Sequence, residues 1–272
     1  NGVVRDIVWT KGKRYVGKLP FQVRTKRCCE GYRLDKGKAI CRQAAVFGES
    51  EAGCWIGYRF GRRRGGMPDF LLEDEAGGVV AGVDEAGRGP WVGPVVAGCA
   101  VFLNRKVDIR LLENLNDSKK LSKKKREMLY SLLQEEAKKG TVRLGIGQAS
   151  AREIDEINIL NASFLAMKRA MAAADIAADM VLVDGNRTPK DFGCAVRAVV
   201  KGDAKSYSIA AASILAKVYR DRLMEQMATQ YPGYGFEKNA GYGTKAHIEG
   251  LKRFGVTPEH RRSYAPVKEF LK

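Results

Sequence analysis

From residue 79 onward, short apolar runs alternate with clusters of Gly, Asp, Asn and Lys. Val79–Val83 and Pro94–Phe102 read as two consecutive buried strands and Thr141–Gly147 as a third. Short apolar runs bounded by glycine match strands better than helices. Met180–Val183 and Ala195–Val200 repeat the pattern. Between these runs the period becomes helical. Ser122 is placed to cap a helix from Lys123 to about Lys138, with Met128, Leu129, Leu132 and Leu133 on one face. Ser150 and Glu153 form a capping-box pair ahead of a helix interrupted near Asn158, which turns Ile154, Ile157, Leu165, Met167 and Met171 toward a core. A helix from about Ser206 to Ala228 carries Ile209, Ala212, Ile214, Leu215 and Val218, and its Ala- and Ser-rich first turns suit close packing. Thr244 is placed to cap a last helix running to about Phe254. Strands in succession, followed by strands alternating with helices, predict an α/β layered domain. The pattern does not give strand order.

Residues 1–66 hold no lasting period: pieces such as Ile7-Val8-Trp9 and Ala44–Phe47 are broken by Lys, Arg and Gly, and the stretch ends in Arg59–Gly66, basic and glycine-bearing. Charge is concentrated here. The chain carries 48 Lys+Arg against 31 Asp+Glu, a net of +17; residues 1–66 hold 16 and 5 of them (+11), leaving 32 and 26 (+6) for residues 67–272. Such a balance favours an anionic partner such as nucleic acid. The segment is either a basic nucleic-acid-binding appendage or sequence upstream of a start at Met67. The second reading is preferred: 1–66 is then a basic extension rather than an independent folded domain, and 67–272 is the catalytic domain. No apolar run approaches a bilayer span, and the first residues hold no signal core, so the expectation is a cytoplasmic protein without a membrane partner. Cys28, Cys29, Cys41 and Cys54 offer no Cys-x-x-Cys spacing for zinc, while Cys99 and Cys194 sit in apolar runs and read as buried thiols.

Chemistry collects at strand ends. The first strand delivers Asp84 and Glu85 into Ala86-Gly87-Arg88-Gly89-Pro90; alternation along a strand lets both acids serve one site only if the chain turns there. Glycines with one arginine admit an anion closely. Asp184, before Gly185-Asn186, and Asp203, after Lys201-Gly202, repeat the arrangement. Each alone also reads as a surface or hairpin turn. Together, four carboxylates at strand C-terminal ends call for divalent cations held by hard oxygen ligands, Mg2+ or Mn2+. With two histidines in the chain and no Cys-His cluster, a soft-ligand site does not fit.

Asp84–Pro90 resembles the opening motif of bacterial type 2 ribonuclease H (ribonuclease HII). The likeness extends over residues 77–267 and includes Asp117-Ser118-Lys119-Lys120-Leu121-Ser122, Val183–Asn186, Lys201-Gly202-Asp203, Ala211–Val218 and Gly241-Tyr242-Gly243-Thr244. It implies a ribonuclease H-like fold: a mixed five-stranded sheet flanked by helices, with extra C-terminal helices. It implies an endoribonuclease that hydrolyses the RNA strand of RNA–DNA hybrids and incises 5′ to single ribonucleotides in duplex DNA, as in ribonucleotide excision repair. Asp84, Glu85, Asp184 and Asp203 become the metal-binding catalytic acids, working with two Mg2+ or Mn2+ ions and leaving 5′-phosphate and 3′-hydroxyl ends. Gly87, Arg88 and Gly89, with Tyr242, read the RNA–DNA junction; Tyr242 is otherwise an ordinary loop residue.

Lys119 lies near substrate by the same resemblance. Lys120 and Lys123–Lys125 read equally as phosphate contacts or a solvated face, and Lys201, Lys205, Arg261 and Arg262 are weaker candidates for backbone contacts. Ser213 reads as a packing residue. Two positions depart from the family pattern: Trp91 stands where a smaller apolar residue is expected and Gly243 where proline is common. A monomer is expected. The alternatives are a non-catalytic basic nucleic-acid-binding protein or a related metal-dependent exonuclease.

Overall fold

The computed structural model describes residues 67–271 and, within residues 1–66, the backbone of four short strands. The chain divides into two compact units, Asn1–Arg59 and Phe60–Lys272. In the first, β1 (Ile7–Thr10) pairs antiparallel with β2 (Lys13–Val16), and β3 (Tyr32–Asp35) with β4 (Lys38–Cys41). The side chains of Cys28, Cys29, Cys41 and Cys54 lie outside the described residues, and the zinc reading with them.

The second unit runs α1 (Leu71–Ala76), β5 (Val80–Ala86), β6 (Val95–Phe102), α2 (Ile109–Asn114), α3 (Lys123–Lys138), β7 (Val142–Ala149), α4 (Ala151–Ala174), β8 (Met180–Asp184), β9 (Ala195–Val199), α5 (Tyr207–Gln230), α6 (Phe236–Asn239), α7 (Lys245–Phe254) and α8 (Ala265–Lys268). Its sheet is mixed and five-stranded, ordered β7-β6-β5-β8-β9. β5, β6 and β7 form an antiparallel meander, while β8 and β9 lie parallel to β5 on its other side.

Both faces of the sheet are covered, which is why β6 shows an unbroken apolar run rather than alternation. Its Val95, Ala97, Cys99 and Val101 join Ala81, Val83, Val181 and Val183 beneath Ile154, Ala162, Ala166 and Ala170 of α4. Ala100 faces the other way, onto Leu129 and Leu133 of α3 and Ala211, Ile214 and Leu215 of α5. α5 sits very close to the sheet: a Cβ on Gly82 would lie 2.2 Å from the Ser208 carbonyl carbon, and one on Gly98 2.2 Å from the Ala212 oxygen. Glycine on the strands and Ala and Ser on the helix are one packing solution. Each expected cap is present, Ser122, Ser150 with Glu153, and Thr244, and Ser206, read as the first residue of its helix, is a cap as well.

Two core assignments are corrected. Met128 is 42% exposed and Ile157 36% exposed. Met128 sits at the margin of the α3 apolar face. Ile157 immediately precedes the break at Asn158 (φ +66°), where the helix changes direction and its inward face rotates. Cys194 is only half-buried, unlike Cys99, whose thiol burial pushes up to about 12.

Candidate active site

Strand pairing builds the site. β5 pairs with β8 as far as Val83↔Val183 but with β6 as far as Ala86↔Val96. The parallel neighbours therefore part at Asp84 and Asp184, each still paired on its other side with Gly98 and Val199, near strand C-terminal ends, where open α/β sheets bind ligands. The chain does not turn between Asp84 and Glu85, contrary to the expectation: β5 continues to Ala86. Glu85, one methylene longer, instead bends to Arg88 (Oε1 to Nη1, 3.1 Å). Asp184 Oδ1 accepts from the Gly202 N–H at 2.7 Å, tying β8 to the turn after β9. That turn carries Asp203, 8% exposed, toward the same place.

Electrostatics ties the four acids together. Burial, then the charges of Glu85 and Asp184, hold the Asp84 carboxyl well above the usual carboxylate range, opposed by hydrogen bonds from the Ser213 hydroxyl and the Glu85 N–H (2.7 Å). Burial also raises Glu85; Arg88 and Lys119 oppose and Asp184 adds to the rise. Asp203 is raised to about 6 by burial, then by the charges of Asp184 and Asp117; Lys119 opposes. Among the described residues no three His, Cys, Asp or Glu side chains are drawn together tightly enough to hold a metal ion. The donor set suits a hard divalent cation: carboxylate oxygens brought to one sheet edge, with no nitrogen or sulfur ligand among them.

Three contributors were missed. Asp117 lay in a quoted motif, but its nearness to Asp203, whose carboxyl it raises, depends on the fold; locally it caps the Ser118–Lys120 turn, accepting from the Lys119 N–H at 2.9 Å. Ser213, read as packing, shares a 2.8 Å hydrogen bond with Ser118 and its hydroxyl opposes the rise of the Asp84 carboxyl. Arg220 is 2% exposed and donates to the carbonyls of Pro94, Ala240 and Val92 at 3.4, 3.1 and 3.2 Å. Its sequence signal is an arginine at the inward helical spacing of Ile209, Ser213, Ala216 and Met224.

The Gly87–Gly89 turn lies beside this edge. Gly87 has φ +92°, and a Cβ there would sit 1.9 Å from Arg220 Nε, so neither backbone nor space admits a side chain. Arg261 is not a surface contact: it is fully buried, and its guanidinium donates to the carbonyls of Gly87 (2.6 Å), Arg88 (2.8 Å) and Gly93 (3.0 Å). Tyr242, 53% exposed, lies against Gly89, where a Cβ would come 3.3 Å from ring atom Cε1. Lys119, Lys120, Lys201, Lys205 and Arg262 are exposed; Lys123 pairs with Glu225. The two departures from the family pattern are one contact: a Cβ at Gly243 would lie 2.0–2.4 Å from three atoms of the Trp91 indole.

Comparison with known proteins agrees. Residues 81–267 match the family described as Ribonuclease HII. The chain is 53% identical over 205 residues to a ribonuclease HII of Paramagnetospirillum magneticum, covering 75% of this chain and 99% of that one. It is 54% identical over 205 residues to that of Rhodospirillum rubrum, covering 75% and 92%. The crystal structure of ribonuclease H2 from Pyrococcus horikoshii OT3 superposes with a TM-score of 0.57 at 32% identity, over 71% of this chain and 97% of that one. These matches decide against a non-catalytic binding protein and against an exonuclease. The chain belongs to the ribonuclease HII family, metal-dependent endoribonucleases that act on RNA–DNA hybrids.

Proposed function

We propose that Asp84, Glu85, Asp184 and Asp203 hold two divalent cations, Mg2+ or Mn2+, and that the enzyme incises 5′ to single ribonucleotides in duplex DNA as well as within hybrids. The observation that carries this is the splitting of β5 from β8 at Asp84 and Asp184, with both remaining acids drawn to the same edge. Bound there, the cations supply activation of water and stabilisation of the leaving 3′-oxygen, giving 5′-phosphate and 3′-hydroxyl ends. The protein's part is to place the acids. The Glu85 N–H orients Asp84, and the Gly202 N–H orients Asp184.

Substrate choice falls to the neighbouring turn. With the carbonyls of Gly87 and Arg88 held by Arg261, the following N–H groups of Arg88 and Gly89 point the opposite way across trans peptides. They are donors for a 2′-hydroxyl, which DNA lacks. The Tyr242 ring stacks on the adjoining nucleotide, and Lys119 meets a phosphate. The protein acts as a cytoplasmic monomer; no described helix is long and apolar enough to cross a membrane. Residues 67–272 carry the activity and residues 1–66 are a basic extension.

A closed circular duplex with one internal ribonucleotide tests this, since an exonuclease finds no end there. The wild-type chain nicks it with Mg2+ or Mn2+; Asp84→Asn loses turnover and keeps hybrid binding. Full activity in Asp84→Asn would refute the assignment.

A further inference from the structure

His247 and His260, the only histidines in the chain, are both buried, 0% and 1% exposed, and touch no acid of the site. Their Nε2 atoms are 3.0 Å apart. His247 Nδ1 lies 3.0 Å from the Tyr242 carbonyl oxygen. His260 Nδ1 accepts from the Thr257 N–H at 3.0 Å and lies 2.8 Å from its hydroxyl. One proton arrangement satisfies every contact. A carbonyl accepts, so His247 carries its proton on Nδ1 and its Nε2 accepts. His260 therefore carries its proton on Nε2, and its Nδ1 accepts from both Thr257 groups. The rings of Trp91, Tyr234 and Phe236 pack around the pair at centroid distances of 5.2–6.2 Å.

This relay joins the two substrate-reading elements. His260 bridges Val92, the Gly93 N–H donates to Glu259 O at 2.9 Å and the Arg261 N–H to Trp91 O at 2.8 Å, so residues 259–261 lie along the strand leaving the Gly87–Gly89 turn. At the other end is Tyr242, whose ring is exposed and whose carbonyl is held by the Thr244 N–H (2.8 Å) and by His247. We propose that His247 and His260 are positioning residues for Tyr242. By fixing its main chain to the strand beyond the turn, they set the ring over Gly89 and so the preference for an RNA–DNA junction. The inference rests on the reading that Tyr242 stacks at that junction.

The test compares kcat/KM on a single-ribonucleotide duplex and on a uniform RNA–DNA hybrid, using the full chain. Tyr242→Ala tests the reading and His247→Leu the inference. Both should lower the preference for the single-ribonucleotide duplex about five-fold or more, mainly through KM, the lower range of what stacking one base on an aromatic ring contributes. The His247→Leu/Tyr242→Ala pair should be no worse than Tyr242→Ala alone. His247→Asn, which keeps an N–H donor near the place of Nδ1, should restore the preference. Equal losses on both substrates, additivity in the double variant, or failure of His247→Asn to restore would overturn the inference. If Tyr242→Ala leaves the preference intact, the reading falls and takes the inference with it. Nitrogen-15 spectra of the wild-type chain need no variant. Nδ1–H on His247 with Nε2–H on His260 supports the relay; the opposite tautomers remove the donor to Tyr242 and overturn it.

Discussion

Replacing Asp203 with Asn should stabilise the metal-free protein while destroying its activity. The folded protein raises this carboxyl from 3.8 to about 6, through burial and through the charges of Asp184 and Asp117. Because the folded value exceeds the unfolded one, the folded state holds the extra proton between those values. The resulting stabilisation is complete below about pH 4 and disappears as pH rises through about 6. Near pH 7.5 the ionised group is therefore a liability. At about 1.4 kcal/mol per pH unit the difference is about 3 kcal/mol, which solvent screening at the sheet edge reduces to about 1–2 kcal/mol. The amide that Asp203→Asn introduces keeps the size of the side chain as the charge goes. Thermal unfolding in chelator near pH 7.5 should show Tm higher by about 3–6 °C for Asp203→Asn. Adding Mn2+ should raise Tm in the wild type and less in the variant, by mass action on the folded state. A variant no more stable than wild type in chelator, or one stabilised equally by Mn2+, would refute the argument that crowded carboxylates make this edge a cation site.

Three further expectations concern the surroundings of the site. Gly243→Ala should destabilise by about 1–3 kcal/mol, as overpacking does, and Trp91→Val added to it should recover most of the loss; additive effects in urea unfolding would show that the two positions are independent. Burial lowers His247, and burial with His247 lowers His260 to about 4, so their contribution to stability is present above about pH 6.5 and is lost as pH falls toward 4, by about 2–3 kcal/mol after screening. Since Asp203 pulls the other way, the measurement is the difference in slope between wild type and His260→Asn, and equal slopes would count against it. Deleting residues 1–66 should leave ribonucleotide incision intact, whereas deletion through Ala76 removes Glu73, which accepts from Ser206 Oγ (2.6 Å) and the Ser208 N–H (3.0 Å) at the start of α5. That loss should cost about 2–4 kcal/mol in urea unfolding, and equal stability of the two truncations would contradict it.

What could be read from the chain alone was local. Caps at Ser122, Ser150 and Thr244 need only neighbours a few residues on, and all three are present. The strands carrying Asp84 and Asp184 were visible because both sheet faces are buried and the runs are apolar throughout. Strand order was not visible, since β8 meets β5 only after the long α4 crossover. The helices Leu71–Ala76, Ile109–Asn114, Phe236–Asn239 and Ala265–Lys268 are too short to establish a period. Charge misled where burial decides. Arg261 reads as a phosphate contact in the sequence, yet all three of its guanidinium bonds to the chain near Gly87–Gly93 are internal. Trp91 and Gly243 stood out separately as departures, and only the packed structure makes them a single compensation.

Two buried arginines bear on why recognition sits where it does. Arg220 and Arg261 have no carboxylate partner among their hydrogen bonds; Arg220 bonds only main-chain carbonyls, and Arg261 adds the Tyr264 hydroxyl at 2.9 Å. Burial lowers both, Arg220 to about 10 with Arg261 adding to the effect, so the fold works against their charges. A packed apolar core would be easier to stabilise. What the arginines provide is direction. Each captured carbonyl fixes a peptide plane, and in a glycine-bearing turn the plane is otherwise free to rotate. With the Gly87 and Arg88 carbonyls committed inward, the outward donors are set before substrate arrives, so the ordering entropy of the turn is spent in folding rather than in binding. The turn proposed to read a single hydroxyl is thus held from behind by buried charge.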